Sequence, residues 1–261
     1  MNDKYSTMNV VLITGTSRGL GAAVAQILAE MGAAVVLNAR SATPLHELRA
    51  EIEANGGTAL ALPGDVGQLE TCRWLVAETI ETFGRLNAVV HNAGVIDPIA
   101  PIAEADAQGW QTAVAVNLLG PMWLTQAALP HLRRRQGRVI SVSSGAAEYG
   151  IPGWAGYCAT KGALNQFNRV LAEEEPAITA VAVRPGVVDT AMQDEIREKG
   201  VDGMPAAAHG RFVEMHQQGS LLPPEKPGRA IALLALYAPL SWSGRFLSWD
   251  DAEVAALKNK R

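Results

Sequence analysis

Short apolar runs alternate with helical patterns along most of the chain. The first run, Val10-Val11-Leu12-Ile13, is continuous, as expected of a parallel strand whose two faces are both covered. The expected strands are 10–13, 34–38, 58–62, 86–91, 138–142, 178–183 and 245–249. The expected helices are 22–31, 44–55, 69–83, 106–134, 154–173 and 228–237. This alternation predicts an α/β fold with a doubly wound parallel sheet of about seven strands and helices on both faces.

Two stretches depart from the simple alternation. In the long helical pattern of about 106–134, Pro121 predicts a kink, and carbonyls freed near Asn117 can then bind water. Residues 187–227 are interrupted by several glycines and prolines and carry scattered apolar side chains. Such an excursion after a strand is either a substrate loop that closes over a ligand or a surface helix pair with its own small core. The pattern alone leaves both interpretations open.

A glycine-rich turn, Thr14–Gly21, follows the first strand and precedes a helix. Glycines let the backbone approach a pyrophosphate, and the helix N-terminus supplies unpaired N–H groups. A tight turn without a ligand is the alternative, but the flanking strand and helix favour a dinucleotide and hence a single Rossmann domain over 1–261. The expected cofactor contacts in this turn are Gly15, Ser17, Arg18, Gly19, Leu20 and Gly21.

The end of the second strand bears on the choice of cofactor. An acidic residue there would bind the ribose 2′-OH, but this sequence has Asn38-Ala39-Arg40. Arg40 and Arg18 suit a 2′-phosphate, although two surface arginines are the plain alternative. The missing acid and the two guanidiniums together predict NADPH rather than NADH.

Further polar and small residues follow later strands. Because the carboxyl ends of parallel strands meet at one edge, we expect these residues to converge on one ligand site. Asp65 can accept a hydrogen bond from an adenine amino group or instead cap the next helix. The remaining expected cofactor contacts are Asp65, Val66, Asn92, Ala93, Gly94, Pro185, Val188 and Thr190.

Tyr157 and Lys161 lie one helical turn apart near the start of the helix at 154–173. An ammonium beside a phenol favours the phenolate, so we expect Lys161 to lower the pKa of Tyr157. The pair could then exchange a proton with a substrate oxygen near neutral pH. Taken alone, this spacing also fits a half-buried tyrosine beside a solvated lysine.

The composition of the chain speaks against several classes of function. A net charge of −4 leaves no basic footprint for nucleic acid, and no apolar segment is long enough for a membrane span. The two cysteines, Cys72 and Cys158, have no metal-binding spacing and form no disulfide framework, so a reducing cytoplasm and no metal are expected.

The whole chain resembles the classical short-chain dehydrogenase/reductase family. The matching features are Thr14–Gly21, Asp65, Asn92-Ala93-Gly94, Asn117, Ser144, Tyr157, Lys161 and Pro185-Gly186. His91 and Arg184 depart from the family pattern without removing a catalytic group. The second half is similar to the benzil reductase and sepiapterin reductase-like branch, through segments such as Val142–Ala146, Pro185–Thr190 and Met192–Arg197.

This resemblance implies an NADPH-dependent carbonyl reductase acting on a ketone, often a 1,2-dicarbonyl or an aryl ketone. It implies that Tyr157 is the general acid, that Lys161 tunes it and binds the nicotinamide ribose, and that Ser144 holds the substrate carbonyl. Asn117 would hold a water that links Lys161 to solvent. It also implies a homodimer or homotetramer.

Four apolar residues are candidates for the substrate pocket: Trp154, Tyr149, Met192 and Met215. Some of them could pack in a subunit interface instead. The alternative activities are a 3-oxoacyl thioester reductase or a secondary-alcohol dehydrogenase. A non-catalytic NADPH sensor is the alternative of another class, but it would not need Asn117, Ser144, Tyr157 and Lys161 together.

Overall fold

A computed structural model describes residues 7–259 of the chain, so residues 1–6 and 260–261 of the predicted domain lie outside it. Seven parallel strands form one sheet in the order β3-β2-β1-β4-β5-β6-β7, which confirms the doubly wound architecture. The strands are β1 (Val10–Thr14), β2 (Ala34–Ala39), β3 (Thr58–Pro63), β4 (Ala88–His91), β5 (Arg138–Val142), β6 (Thr179–Arg184) and β7 (Phe246–Ser248). The order reverses between β1 and β4, where open α/β sheets bind ligands.

Ten α-helices connect or flank the strands in the described residues. They are α1 (Gly19–Glu30), α2 (Ala42–Ala54), α3 (Leu69–Phe83), α4 (Ala107–Val114), α5 (Gly120–Arg133), α6 (Ala155–Glu174), α7 (Ala191–Gly203), α8 (Ala206–Gln217), α9 (Glu225–Tyr237) and α10 (Ala252–Ala256). Most predicted boundaries hold within a few residues. The first helix is an exception because it begins at Gly19, inside the glycine turn, rather than at Ala22.

The sheet is covered on both faces because its side chains alternate. Val11 and Ile13 of β1 point into the core formed with α1, α2 and α9. Val10 and Leu12 point into the opposite core, formed with α3 and α5. Every residue of β1 and β2 is buried, which explains their continuous apolar sequence.

The predicted single helix over 106–134 is corrected by the structure. Helices α4 and α5 are joined by one π-helical turn, Ala115–Leu119, which contains Asn117. Pro121 lies in the first turn of α5, where a missing N–H group is tolerated, and Pro130 is the proline inside that helix. The irregularity therefore lies one turn earlier than the predicted kink, at the site residue itself.

The stretch 187–227 is more regular than its sequence indicated, because most of it forms α7 and α8. Its two ends are joined at the base by a parallel bridge between Val188 and Leu222. The Asp189 amide donates to the Leu222 carbonyl at 2.8 Å. The two helices therefore project from a closed base over the carboxyl edge of the sheet.

Candidate functional site

A cavity of about 660 Å³ opens at the carboxyl edge of the sheet. Its walls come from the glycine turn, the ends of the central strands, and helices α6, α7 and α8. The predicted cofactor residues, scattered over many segments, all line this one cavity: Gly15, Ser17, Arg18, Gly19, Leu20, Gly21, Arg40, Asp65, Val66, Asn92, Ala93, Gly94, Tyr157, Lys161, Pro185, Val188 and Thr190. Tyr157 and Lys161 in this list are also candidate catalytic residues. Three further candidates for catalysis or substrate binding line the cavity too, namely Ser144, Trp154 and Met192.

The glycine turn is packed so tightly that side chains would not fit. A Cβ on Gly21 would lie 2.2 Å from the Gly15 carbonyl oxygen. A Cβ on Gly15 would lie 2.8 Å from the Ala93 Cα, and Gly15 has φ of +73°, in the left-handed region. Because α1 begins at Gly19, its first N–H groups have no partner within the helix. This turn fits a pyrophosphate-bearing cofactor.

Asn92 fastens the glycine turn to the end of β4. Its side-chain amide donates to the Thr14 and Gly15 carbonyls at 2.9 and 3.0 Å. In return, the Thr14 hydroxyl accepts from the amides of Asn92 and Ala93, each at 3.1 Å. The Asn92 side chain thus holds the glycine turn against the end of β4, at the floor of the cavity.

The end of β2 presents Arg40 to the cavity, while the Asn38 side chain is held by backbone carbonyls at and just after the end of β3. Asn38 is buried, and its amide donates to the carbonyls of Leu62 and Gly64 at 3.0 and 3.1 Å. Arg40 and Arg18 are exposed and line the cavity. Arg40, directly after β2, and Arg18, in the glycine turn, therefore offer cations to a ligand. No carboxylate directly follows β2.

For Asp65 the sequence left two roles open, adenine binding and capping of the next helix. Its carboxylate accepts the Gly67 amide at 2.8 Å, in a turn that precedes α3. The residue before α3 is Gln68, and no side chain caps that helix end. Capping by Asp65 is therefore wrong, and the residue lies at the cavity wall.

Ser144 and Tyr157 meet at the inner end of the cavity. Ser144 follows β5 in extended conformation, and its hydroxyl oxygen accepts the Ala146 amide at 3.1 Å. Tyr157 lies in the first turn of α6, on the face that α6 buries. The Ser144 side chain is close enough to the Tyr157 hydroxyl to lower the pKa of that phenol. A substrate oxygen placed there would meet two O–H donors.

Lys161 is buried one turn after Tyr157. Its ammonium donates to the Val142 carbonyl at 2.7 Å and lies 5.5 Å from the centre of the Tyr157 ring. Burial lowers the pKa of Lys161 to about 8.

The expected lowering of the Tyr157 pKa is wrong. Burial raises the pKa of Tyr157 to about 12, and the hydrogen bond with Ser144 only partly opposes this. Desolvation disfavours the charged form of both neighbours and outweighs the attraction between them. The phenol therefore stays protonated at neutral pH.

Asn117 lies behind the cavity wall. Its side chain forms two hydrogen bonds with the backbone of Val95, each 2.8 Å, and a third with the Thr160 hydroxyl at 3.2 Å. Its own carbonyl cannot have the usual helical donor four residues later, because that residue is Pro121. The Asn117 side chain therefore positions the cavity wall.

The outer part of the cavity is apolar and aromatic. Trp154 contacts the Tyr157 ring edge-on, with centroids 5.8 Å apart, and its centroid lies 5.1 Å from that of Phe212 in α8. These side chains belong to one buried cluster with Ile196 of α7. Helices α7 and α8 thus share their core with the Tyr157 region, unlike a surface pair with a separate core. Tyr149 and Met215 also line the cavity.

The sequence prediction missed several lining residues on α7 and α8. They are Gln193, Glu195, Ile196, Ala208, Arg211 and Phe212. The spacing of three to four residues within each helix was the available signal, because such residues share one helix face. Within residues 7–259, no group of three or more His, Cys, Asp or Glu side chains is placed to hold a metal ion. In the same residues, no helix is long and apolar enough to cross a membrane.

Comparison with known protein sequences gives one family and several relatives. The family model for short chain dehydrogenases matches residues 9–200. A benzil reductase ((S)-benzoin forming) of Saccharomyces cerevisiae is 34% identical, covering 95% of this chain and 98% of the relative. A benzil reductase of Bacillus cereus is 35% identical, covering 86% and 92%. An L-fucose dehydrogenase of Mus musculus is 34% identical, covering 94% and 88%.

Solved structures show the same likeness. The crystal structure of the KRED1-Pglu enzyme is 42% identical, with a TM-score of 0.88, and covers 92% of this chain and 100% of its own. A blue fluorescent protein from a metagenomic library, solved in complex with NADPH, is 29% identical with a TM-score of 0.79. That comparison covers 92% of this chain and 95% of the fluorescent protein.

Proposed function

The chain belongs to the short-chain dehydrogenase family, and we propose that within it the protein is an NADPH-dependent carbonyl reductase. Its substrate would be a ketone with an aromatic group or a second, adjacent carbonyl. The observation that carries the proposal is that one cavity extends from the glycine turn to the neighbouring side chains of Ser144 and Tyr157. A cofactor and a ketone can therefore meet at one proton donor.

The two hydroxyl groups would act on the substrate oxygen. Ser144 donates a hydrogen bond that stabilises the negative charge developing on that oxygen. Tyr157, as general acid, transfers its proton to the same oxygen as the alcohol forms. When bound, the nicotinamide cofactor supplies the hydride to the carbonyl carbon. The high pKa of the buried phenol keeps this proton in place at neutral pH until the oxygen becomes basic.

Lys161 would stabilise the phenolate that remains. Its Nζ lies close to the Tyr157 ring and is bound to the Val142 carbonyl. Gly94 separates Lys161 from Asn117, because a Cβ on this glycine would lie 3.7 Å from Nζ and 3.5 Å from the Asn117 Oδ1. A water held by the Asn117 carbonyl could return a proton through Lys161 to Tyr157. Lys161 also lines the cavity, and we expect it to bind the cofactor ribose.

The preference for NADPH rests on the adenosine end of the cavity. Arg40 and Arg18 line it, and no acidic residue follows β2 to repel a 2′-phosphate. The NADPH complex of the fluorescent protein supports the same choice.

The apolar outer wall supports an aryl ketone over a sugar or a simple alcohol. Trp154, Phe212 and Met192 offer apolar contact area for a ring. Gln193, Glu195 and Arg211 line the same cavity and are the groups that a polar substituent would meet. The benzil reductase relatives agree with this substrate class, whereas the L-fucose dehydrogenase relative keeps alcohol oxidation as the alternative.

We also propose a cytoplasmic homodimer or homotetramer. Both cysteines are free thiols, which suits a reducing compartment. Val114, Met122 and Val170 are exposed apolar side chains on α4, α5 and α6, and helices with such faces can pack against a second copy.

The test is cofactor depletion over a small substrate panel. Purified protein is mixed with NADPH or NADH and with benzil, sepiapterin or an acetoacetyl thioester. L-fucose and a simple secondary alcohol are run in the oxidative direction. We expect fastest turnover with NADPH and benzil. Faster turnover of the thioester or an alcohol would overturn the substrate class, and cofactor binding without any turnover would favour a sensor.

A further inference from the structure

Tyr149 presents a phenol hydroxyl that has no role in the chemistry described above. It lies in the loop between β5 and α6, is 60% exposed, and lines the cavity. Throughout residues 7–259, no hydrogen bond to its hydroxyl is formed by another group. The hydroxyl is therefore free to bind a ligand in the cavity.

This hydroxyl occupies space that Gly145, the residue after Ser144, leaves free because it has no side chain. A Cβ on Gly145 would lie 2.4 Å from the Tyr149 hydroxyl oxygen and 3.0 Å from its Cζ. The hydroxyl therefore lies within roughly 4 Å of the Gly145 Cα, and that Cα is about 3.8 Å from the Ser144 Cα. A third hydroxyl group thus lies within about 8 Å of the Ser144 Cα, in the cavity that Ser144 and Tyr157 line.

The loop that carries Tyr149 is held in place by several contacts. The Glu148 amide donates to the Gly145 carbonyl at 2.9 Å, in a 3₁₀ turn over 145–147. Arg184, at the end of β6, forms an ion pair with Glu148 at 3.4 Å. Arg184 is also the residue that departs from the family pattern. The loop residue next to Tyr149 is therefore tied to the end of the sheet.

We propose that the Tyr149 hydroxyl binds the carbonyl adjacent to the reacting one, and so selects vicinal diketones over monoketones. This inference rests on the proposed function. Ser144 and Tyr157 would hold the oxygen that is reduced, and Tyr149 would donate to the neighbouring oxygen. The aromatic wall of Trp154 and Phe212 would receive a flanking ring. The product would be an α-hydroxyketone.

The experiment compares benzil with deoxybenzoin, which has the same two phenyl rings but only one carbonyl. We measure kcat/KM for both ketones with NADPH in the wild-type protein and in Tyr149→Phe. Losing one hydrogen bond should lower the ratio of benzil to deoxybenzoin by about tenfold. Tyr237→Phe, which removes a phenol hydroxyl outside the cavity lining, should leave this ratio at its wild-type value.

A second variant tests the geometry without removing the hydroxyl. In Gly145→Ala the new methyl group must displace the Tyr149 ring, so the preference for benzil should fall as it does in Tyr149→Phe. An unchanged ratio in Tyr149→Phe would overturn the inference while leaving the reductase function intact. Absence of turnover with both ketones in the wild-type protein would overturn the function and this inference with it.

Discussion

Strands β1 and β2, which end near the glycine turn, are buried more deeply than helix α8 at the other side of the cavity. Every residue of β1 and β2 is buried, and both strands pack against neighbours on two sides. Helix α8 has no fully buried residue, although Ala208, Phe212 and Met215 line the same cavity. The first region is held by the core of the protein, and the second is held mainly by contacts around the ligand site.

This contrast separates what each region can change. A substitution in β1 or β2 acts first on the stability of the fold. A smaller side chain there leaves a cavity that the close-packed core fills only in part. A substitution on α8 acts first on the ligand, because little of its surface contributes to the main cores. Residues on α7 and α8 are therefore where substrate choice can vary without loss of the fold.

The largest expected effect lies where the two regions meet. Tyr157→Phe should lower kcat by about 10²- to 10⁴-fold, because the proton donor is lost while the ring keeps its packing. NADPH affinity, measured by fluorescence titration, should change little. Cys158→Ala is the matched control, since Cys158 is absent from the cavity lining. Near-normal turnover in Tyr157→Phe would remove Tyr157 from the mechanism.

Cofactor choice should respond to the sheet region alone. Arg40→Asp should shift the ratio of kcat/KM for NADPH over NADH by about 10- to 100-fold toward NADH, because a cation is replaced by a repelling carboxylate. The same exchange at Arg169, which lies outside the cavity lining, should not alter the ratio. If Arg40→Asp left the ratio unchanged, the 2′-phosphate would have to be recognised elsewhere.

A pair of truncations tests the comparison directly. Leu12→Ala, in fully buried β1, should reduce the free energy of unfolding by about 2–5 kcal/mol with little change in KM for the ketone. Phe212→Ala, in α8, should raise that KM by about tenfold and cost less stability, because this ring is only partly buried. Denaturant titration and steady-state kinetics on both variants give the two readouts. The contrast fails if Phe212→Ala is the more destabilising change.

The last test concerns pH and the buried lysine. In the folded protein Lys161 loses its proton at about pH 8, whereas in the unfolded chain it keeps its proton up to its ordinary pKa of 10.5. Between these values the unfolded state binds more protons, so the free energy of unfolding should rise with pH by up to about 1.4 kcal/mol per unit. The Lys161→Met variant should lack this rise. Unfolding without cofactor at pH 8, 9 and 10 measures it, and equal slopes would contradict it.

Much of the fold could be predicted from the sequence because its strands are buried on both faces. Continuous apolar runs such as Val10–Ile13 leave little choice of structure, and seven strands were expected and found. Pro121 predicted loosened backbone near Asn117 but not the π-helical turn at Ala115–Leu119, because a proline removes a hydrogen bond without fixing what replaces it. For 187–227 a helix pair was one of two open alternatives, because the partly exposed residues of these helices give a weak periodic signal.

The sequence by itself determined the order of strands and helices, the glycine turn, the missing acid after β2, and the spacing of Tyr157 and Lys161. These features depend on neighbours close in the chain. Only the tertiary structure decided that Tyr157 stays protonated and that Tyr149 lies against Gly145 beside Ser144. Burial and cavity shape arise from segments far apart in sequence, so no local pattern contains them.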